Sequence, residues 1–233
     1  YFLGERMIKL TNRLKAVAEL VTPCDAFADI GTDHAYLPAW LIQNGVVRRA
    51  VAADIHKKPL ENAQKTISLY GLENQIELRL SDGFAKILPE EAEEIAVAGM
   101  GGEQIAAMIE YTPWLKSGDK HLILQPMTHY EDVRRSLCEN GFSILCEKTV
   151  AEGERVYLVI SARYAGAAEE KPEWYYYAGK LTDDPTGTND LLLQKILKRL
   201  KKRAVSVAPS DPETAEHLES IIKEIENERR KHL

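Results

Sequence analysis

The sequence predicts an α/β fold: a doubly wound, mostly parallel sheet, followed by a small α-helical domain. Three observations carry this. Short apolar runs alternate with helix-patterned segments five times before Gly141, as parallel neighbours joined by helical crossovers require. Two strand-patterned runs, Phe142 to Val150 and Arg155 to Tyr164, are then joined only by Ala151-Glu152-Gly153-Glu154. That joint is too short for a helix and predicts an antiparallel hairpin. Beyond residue 172 the apolar spacing is helical.

Taken in order, Ile8 to Val21 carries apolar residues at 10, 14, 17, 18 and 21, the spacing of an amphipathic helix. Asp25 to Ile30 is a buried strand stopped by Gly31. Pro38 to Asn44 is a helix closed by Gly45, and Val46 to Ile55 a strand that carries Asp54 near its end. Pro59 to Tyr70 is a helix ended by Gly71. Ile76 to Leu80 is a strand leading into Ser81-Asp82-Gly83. Glu94 to Ala98 is a strand leading into a glycine loop, Gly99-Met100-Gly101-Gly102, and Gln104 to Glu110 is a helix. His121 to Leu124 is a strand and Glu131 to Asn140 a helix capped by Gly141. Residues 165–171 read as a linker. A short helix around Trp174 to Leu181 precedes two longer ones, with seams at Leu193, Ile196, Leu197 and Leu200 and at Ala215, Leu218, Ile222 and Ile225. Pro209 and Pro212 separate these into an antiparallel, coiled-coil-like hairpin. The expected units are residues 7–164 and 172–233.

Composition narrows the function classes. The chain has 233 residues, 45% hydrophobic and 28% charged, the balance of a soluble globular protein. It has no run of about 18 apolar residues, so no transmembrane helix is expected, and the first apolar stretch is too interrupted by charge for a secretion signal. Tyr1 to Arg6 read as an expression remnant ahead of Met7. Cys24, Cys138 and Cys146 lack metal-ligand spacing and are expected as reduced thiols in a cytoplasmic protein. No metal and no obligate protein partner is implied. The net charge of −6 means that any nucleic-acid contact must come from a local basic patch.

Open α/β sheets bind ligands beyond the carboxyl ends of their strands, and the unusual motifs fall there. Asp29-Ile-Gly31-Thr32-Asp33-His34 follows the first strand. A dinucleotide fingerprint needs three glycines to pass a pyrophosphate; Asp33 and Ala35 occupy two of those places. A carboxylate there repels a pyrophosphate and suits the sulfonium and ammonium of S-adenosylmethionine. Asp54, 25 residues after Asp29, is placed to grip ribose hydroxyls. Asp82, followed by Gly83, is placed to bond an adenine amino group. Each acid alone also fits a helix N-cap; three at successive strand ends favour a nucleoside-containing cofactor. The expected cofactor set is Asp29, Gly31, Thr32, Asp33, Asp54, Ile55, Asp82, Gly83, Ala98 and Gly99. A parallel sheet ending in one antiparallel hairpin fits a class I methyltransferase, Rossmann-like sheet better than a nicotinamide-binding one.

DIGTDHAYLP (29–38), AADI (52–55), SDGF (81–84), AVAGMGGEQI (96–105) and LILQPM (122–127) resemble bacterial tRNA adenine-N(1) methyltransferases of the TrmK type, which modify adenine 22. The likeness spans residues 8–164 and is looser in the tail. It implies S-adenosylmethionine as methyl donor, tRNA as substrate and a coiled-coil-like C-terminal domain. Met127 stands where that family more often has asparagine.

On this reading a ring nitrogen attacks the sulfonium methyl in line. Neutral adenine N(1) already carries a lone pair, so alignment and a preorganised polar pocket matter more than a strong base. The expected catalytic set is Asp33 and His34 for charge stabilisation or proton acceptance, Met100 and Gly101 beside the target base, and Gln125 on the base edge. His34 also fits a packing role. N(1) lies on the pairing edge, so the adenine must be extruded. Lys195, Lys198, Arg199, Lys201, Lys202 and Arg203 place six cations in nine residues, suited to tracking RNA phosphates or to a solvated helix face. Trp174-Tyr175-Tyr176-Tyr177 suit base stacking or, more simply, packing of the tail.

Overall fold

The computed structural model describes residues 7–232; the segment Tyr1–Arg6, read as an expression remnant, lies outside them. Seven strands form one sheet in the order β3-β2-β1-β4-β5-β7-β6. The strands are β1 (Cys24–Ile30), β2 (Val47–Asp54), β3 (Ile76–Leu80), β4 (Glu94–Met100), β5 (His121–Pro126), β6 (Phe142–Glu152) and β7 (Arg155–Tyr164). Strands β1 to β5 pair in parallel. β7 runs antiparallel to both β5 and β6, so the expected hairpin closes the sheet. Its turn is tighter than the sequence suggested, because the pairing continues to Glu152↔Arg155 and leaves only Gly153 and Glu154 between the strands.

Two apolar layers cover the sheet. One contains α1 (Asn12–Ala18), α2 (Tyr36–Gln43) and α3 (Lys57–Tyr70), with Val17, Leu37, Leu41 and Ile67 against Phe27 and Ala52. α1 is shorter than the spacing predicts. Thr11 caps it by accepting the Leu14 N–H at 3.3 Å, and Ile8 is held outside it by donating its N–H to Gln43 Oε1 at 3.0 Å. The other layer contains α4 (Gly102–Glu110) and α5 (Tyr130–Glu139), packed on Ile95, Val97, Leu122 and Leu124.

α6 (Glu173–Ala178), α7 (Gly187–Val207) and α8 (Pro212–Lys231) form the tail. The segment 165–171 is a loop, as expected, but the core crosses it. Leu193, Ile196 and Leu200 of α7 belong to the same buried cluster as Ile144, Leu158 and Ile160 of the hairpin. The aromatic run packs rather than protrudes: Tyr176 is buried, and Trp174, Tyr175 and Tyr177 lie against that cluster. At the amino ends of the strands, buried Glu94 bonds Thr22, Arg163 and His121, and His121 bonds Ser161. This network sits at the opposite end of the sheet from the ligand rim. Among the described residues no helix is long and apolar enough to cross a membrane.

One sequence expectation needs correction. Gly99 and Met100 are not loop residues, because β4 runs on to Met100. Gly99, at φ +84°, forms a bulge between the pairs Ala98↔Gln125 and Met100↔Pro126. Gly102 then opens α4 against the Thr128–His129 backbone, where an added Cβ would lie 2.1 Å from the His129 carbonyl oxygen.

Candidate active site

The carboxyl ends of β1 to β4 enclose a cleft of about 750 Å³, the size of a small-molecule site. Gly31, Asp54, Ile55, Asp82, Gly83 and Met100, all expected from the sequence, line it. The backbone folds there for local reasons. After β1 the Gly31 and Thr32 N–H groups both donate to the Ala53 carbonyl, at 2.8 and 2.9 Å. Gly31 takes φ +79°, and a Cβ on it would come within 3.0 Å of Met100 Sδ. Thr32 Oγ1 accepts the Ala35 N–H at 3.2 Å, turning the chain into α2.

At the end of β2, Asp54 Oδ1 accepts the His56 N–H at 2.7 Å, which fixes the carboxylate at the cleft wall. At the end of β3, the Ser81 hydroxyl donates to the Gly83 carbonyl at 2.9 Å and accepts the Lys86 N–H at 3.1 Å. This turn presents exposed Asp82 to the cleft. Among the lining residues there are two carboxylates and neither lysine nor arginine, so no cationic side chain of the lining offsets their repulsion of a pyrophosphate.

Much of the apolar wall was missed from sequence. Phe84 and Trp114 meet edge to face with centroids 5.4 Å apart, and with Ile30, Ile87 and Met108 they make one apolar wall of the cleft. Exposed Tyr111, with Thr112 and Pro113, frames its mouth. An aromatic-rich Tyr-Thr-Pro-Trp run directly after a helix on the ligand rim was the available signal.

The other expected residues lie around the cleft rather than in its lining. Asp29 is buried beneath it, and burial pushes its carboxyl up to about 6, opposed by hydrogen bonding from Thr32 and by the charge of Arg13. Asp33 and His34 stand on the rim 3.5 Å apart, with the Asp33 side chain 73% exposed. The His34 ring stacks on Tyr36 at 5.1 Å. Ala98 and Gly99 lie within β4 just before Met100, and Gly101 follows it as the N-cap of α4.

Gln125 departs from its expected role. It is 0% exposed. Its Oε1 accepts from Arg13 Nη1 at 2.7 Å, and its Nε2 donates to the Pro126 carbonyl at 2.8 Å. With both ends of the amide engaged below the surface, it does not read a base edge. Arg13, from α1, was not foreseen at the site at all.

The basic run on α7 is also reorganised. Arg199 forms a forked pair with Glu131 at 2.8 and 2.9 Å, and Lys201 pairs with Glu226 at 2.7 Å. Lys195 donates to the Glu154 carbonyl at 3.2 Å. Lys198, Lys202 and Arg203 are exposed and make no ion pair among the described residues. The Arg199–Glu131 and Lys195–Glu154 contacts set this helix beside the start of α5 and the hairpin tip, on the ligand rim.

Residues 10–160 match the family model described as a methyltransferase domain. The chain belongs to the methyltransferase-domain family. Among relatives of this chain, the tRNA (adenine(22)-N(1))-methyltransferase of Bacillus subtilis is 36% identical over 155 residues, 66% of this chain and 65% of that protein. The aligned part thus spans slightly less than two thirds of that relative's length. The crystal structure of the B. subtilis m1A22 tRNA methyltransferase TrmK superposes with a TM-score of 0.83 at 28% identity, covering 97% of this chain and 100% of the other. The structure of M. capricolum TrmK with S-adenosyl-homocysteine gives 0.79 at 26% identity, covering 94% and 96%. These relatives are of the TrmK type that the motifs of this chain resemble.

Proposed function

We propose that the protein transfers a methyl group from S-adenosylmethionine to N(1) of an adenine in tRNA, adenine 22 by analogy with the B. subtilis relative. The observation that carries this is the cleft itself: two carboxylates at successive strand ends, an apolar wall with Phe84 and Trp114, and no cation in the lining. These residues fit the cofactor. The apolar wall of Phe84, Ile87, Met108 and Trp114 would receive the purine, Asp82 would accept from its amino group, and Asp54 would accept from the ribose hydroxyls. Gly31 leaves room for the chain of the nucleoside to pass over the β1 turn. Asp29 would face the ammonium, a charge that repays the cost of ionising a buried carboxyl. Thr32, Ile55, Gly83, Ala98 and Gly99 shape the backbone around it.

The bound cofactor supplies an electrophilic methyl on a sulfonium. The protein's part is to hold and orient. Met100 gives the target base a polarisable apolar wall, and the Gly101–Gly102 turn allows close backbone approach. As N(1) accepts the methyl, the ring gains positive charge, and the exposed Asp33 carboxylate on the rim stabilises it. His34, stacked on Tyr36, orients Asp33; the product base keeps the positive charge and the cofactor leaves as a neutral thioether, so no proton need depart. The target must leave its stack to enter, so the RNA is gripped by shape and phosphate contacts. Lys198, Lys202 and Arg203 supply part of that grip. The protein acts in the cytoplasm with its tRNA substrate.

The deciding experiment is transfer of labelled methyl from S-adenosylmethionine to unmodified tRNA, with the product mapped by mass spectrometry. One N(1)-methyladenosine per molecule, at position 22, is expected. Absence of label on tRNA, with labelling of another RNA or a small molecule, removes this reading.

A further inference from the structure

Gln104 is exposed in the first turn of α4 and lines the cleft together with Met100. Its Oε1 accepts the Gly101 N–H at 3.4 Å. Its Nε2 makes no hydrogen bond among the described residues. The side-chain amide therefore has a fixed acceptor end and a free donor end. Turning it over would set Nε2 against the Gly101 N–H, donor against donor, so the backbone holds it one way round.

Its place along the cleft says what it meets. Met108 lies 3.3 Å from where a Cβ on Gly83 would stand, beside Asp82, and Met100 Sδ lies 3.0 Å from a Cβ on Gly31. Gln104 stands one helical turn before Met108, displaced from the Asp82 end of the cleft toward the glycine turn. A Cβ on Gly101 would lie 3.7 Å from both Gln104 Oε1 and Thr128 Oγ1, so bare backbone separates these two polar side chains. This is the end of the cleft at which the proposed reaction places the target base.

Adenine carries its N6 amino donor and its N7 acceptor side by side, and a glutamine amide is the matching acceptor–donor pair. Oε1 has a second lone pair for N6–H, and Nε2 can face N7. Held by that edge, the base leaves N1 uncovered for the methyl. Guanine offers two acceptors on the same edge, O6 and N7. Its O6 would meet Oε1, and the Gly101 N–H keeps the amide from turning to suit it. As N1 takes the methyl, the positive charge makes N6–H a stronger donor, so the contact tightens toward the transition state.

We infer that Gln104 identifies the target base as adenine, through Oε1 on N6 and Nε2 on N7. The inference rests on the function proposed above, and it gives to Gln104 the base-edge role that the sequence assigned to Gln125.

Methyl transfer by the full chain to unmodified tRNA carrying either adenosine or 7-deazaadenosine at position 22 tests this. The analogue replaces N7 by a C–H and keeps N1 and N6. The quantity to compare is the ratio of kcat/KM on the two RNAs, taken for each protein, because intrinsic reactivity of N1 then cancels between proteins. Wild type should show a ratio about 3- to 10-fold less favourable to the analogue than Gln104→Leu does, the range of one hydrogen bond. Gln104→Glu keeps an acceptor for the Gly101 N–H and for N6 but lacks the donor, so its ratio should match that of Gln104→Leu. S-adenosylmethionine affinity, read by calorimetry, should stay within about 2-fold of wild type in both. Equal ratios in wild type and both variants overturn the inference and leave the proposed function standing. Equal ratios with weakened S-adenosylmethionine binding also overturn it, and assign Gln104 to the cofactor. Wild type that methylates neither RNA removes the proposed function and this inference together.

Discussion

Arg134 and Glu147 form a forked ion pair with both side chains 0% exposed, Nε to Oε1 at 2.6 Å and Nη2 to Oε2 at 3.1 Å. Arg134 Nη1 also donates to the Tyr176 and Tyr177 carbonyls, at 2.9 and 2.8 Å, and Glu147 Oε2 accepts the Lys180 N–H at 2.9 Å. The pair joins α5 and β6 to the end of α6. Gly179 makes room for it, because a Cβ there would lie 2.3 Å from Arg134 Nε.

Arg134→Met should destabilise the protein by about 3–5 kcal/mol, because it strands a buried carboxylate. Arg134→Lys should recover little, since lysine lacks the fork. Gly179→Ala should also destabilise it, by steric conflict at the same place. Urea unfolding midpoints read all three; wild-type midpoints would show that the latch contributes nothing.

Asp54→Asn keeps an acceptor for the His56 N–H and removes the charge facing the ribose hydroxyls. Cofactor affinity should fall about 10-fold or more, while the unfolding midpoint moves little. Asp54→Ala should lower affinity further and cost up to about 1 kcal/mol of stability through the lost turn bond. Unchanged affinity in both would take Asp54 out of the site.

Asp29 sets a pH dependence with a definite sign. Its carboxyl is raised to about 6 from 3.8, by burial and the nearby Asp54 charge, against Thr32 and Arg13. The folded state therefore holds this proton more tightly than the unfolded chain. The stability this contributes is full below about pH 4 and is lost as pH rises toward 6, by about 2–3 kcal/mol. Asp29→Asn should match the ligand-free wild type near pH 4 and exceed it in unfolding free energy at pH 7.5. Cofactor affinity should behave oppositely, rising from pH 5 to 7 in wild type as the carboxylate forms, and staying flat in Asp29→Asn. Parallel curves for the two proteins would refute this.

Reversing Lys198, Lys202 and Arg203 to glutamate should weaken tRNA binding and reduce the slope of log affinity against log salt by up to about three counterions, with stability unchanged. Reversing Arg199 or Lys201 should instead also lower the unfolding midpoint, since each breaks a pair with Glu131 or Glu226. A salt slope that ignores the triple reversal would confine α7 to a structural part.

The sheet was legible because glycines punctuate it. Gly31, Gly45, Gly71 and Gly141 sit at positive φ where runs end, and alternation did the rest. Gly99 misled for the same reason, since a glycine after a strand reads as its end and here it is a bulge within it. Asp54 and Asp82 were legible because strand ends converge on one rim whatever the details of packing. Gln125 and Arg13 were not, because their roles come from one bond that links residues 112 positions apart, and no local pattern encodes it. The cations of α7 were legible as a group, but their partners Glu131 and Glu226 come from other helices, so the division between paired and exposed charges was hidden.

The buried cluster that runs from Ile144, Leu158 and Ile160 into Leu193, Ile196 and Leu200 has a consequence for how the molecule can be dissected. A fragment cut at Tyr164 would leave an oily flank of the hairpin bare and the Arg134–Glu147 fork open to water. The tail helices and the strands of the cleft thus share one core, and a fragment ending at Tyr164 is expected to lose stability with the loss of that core.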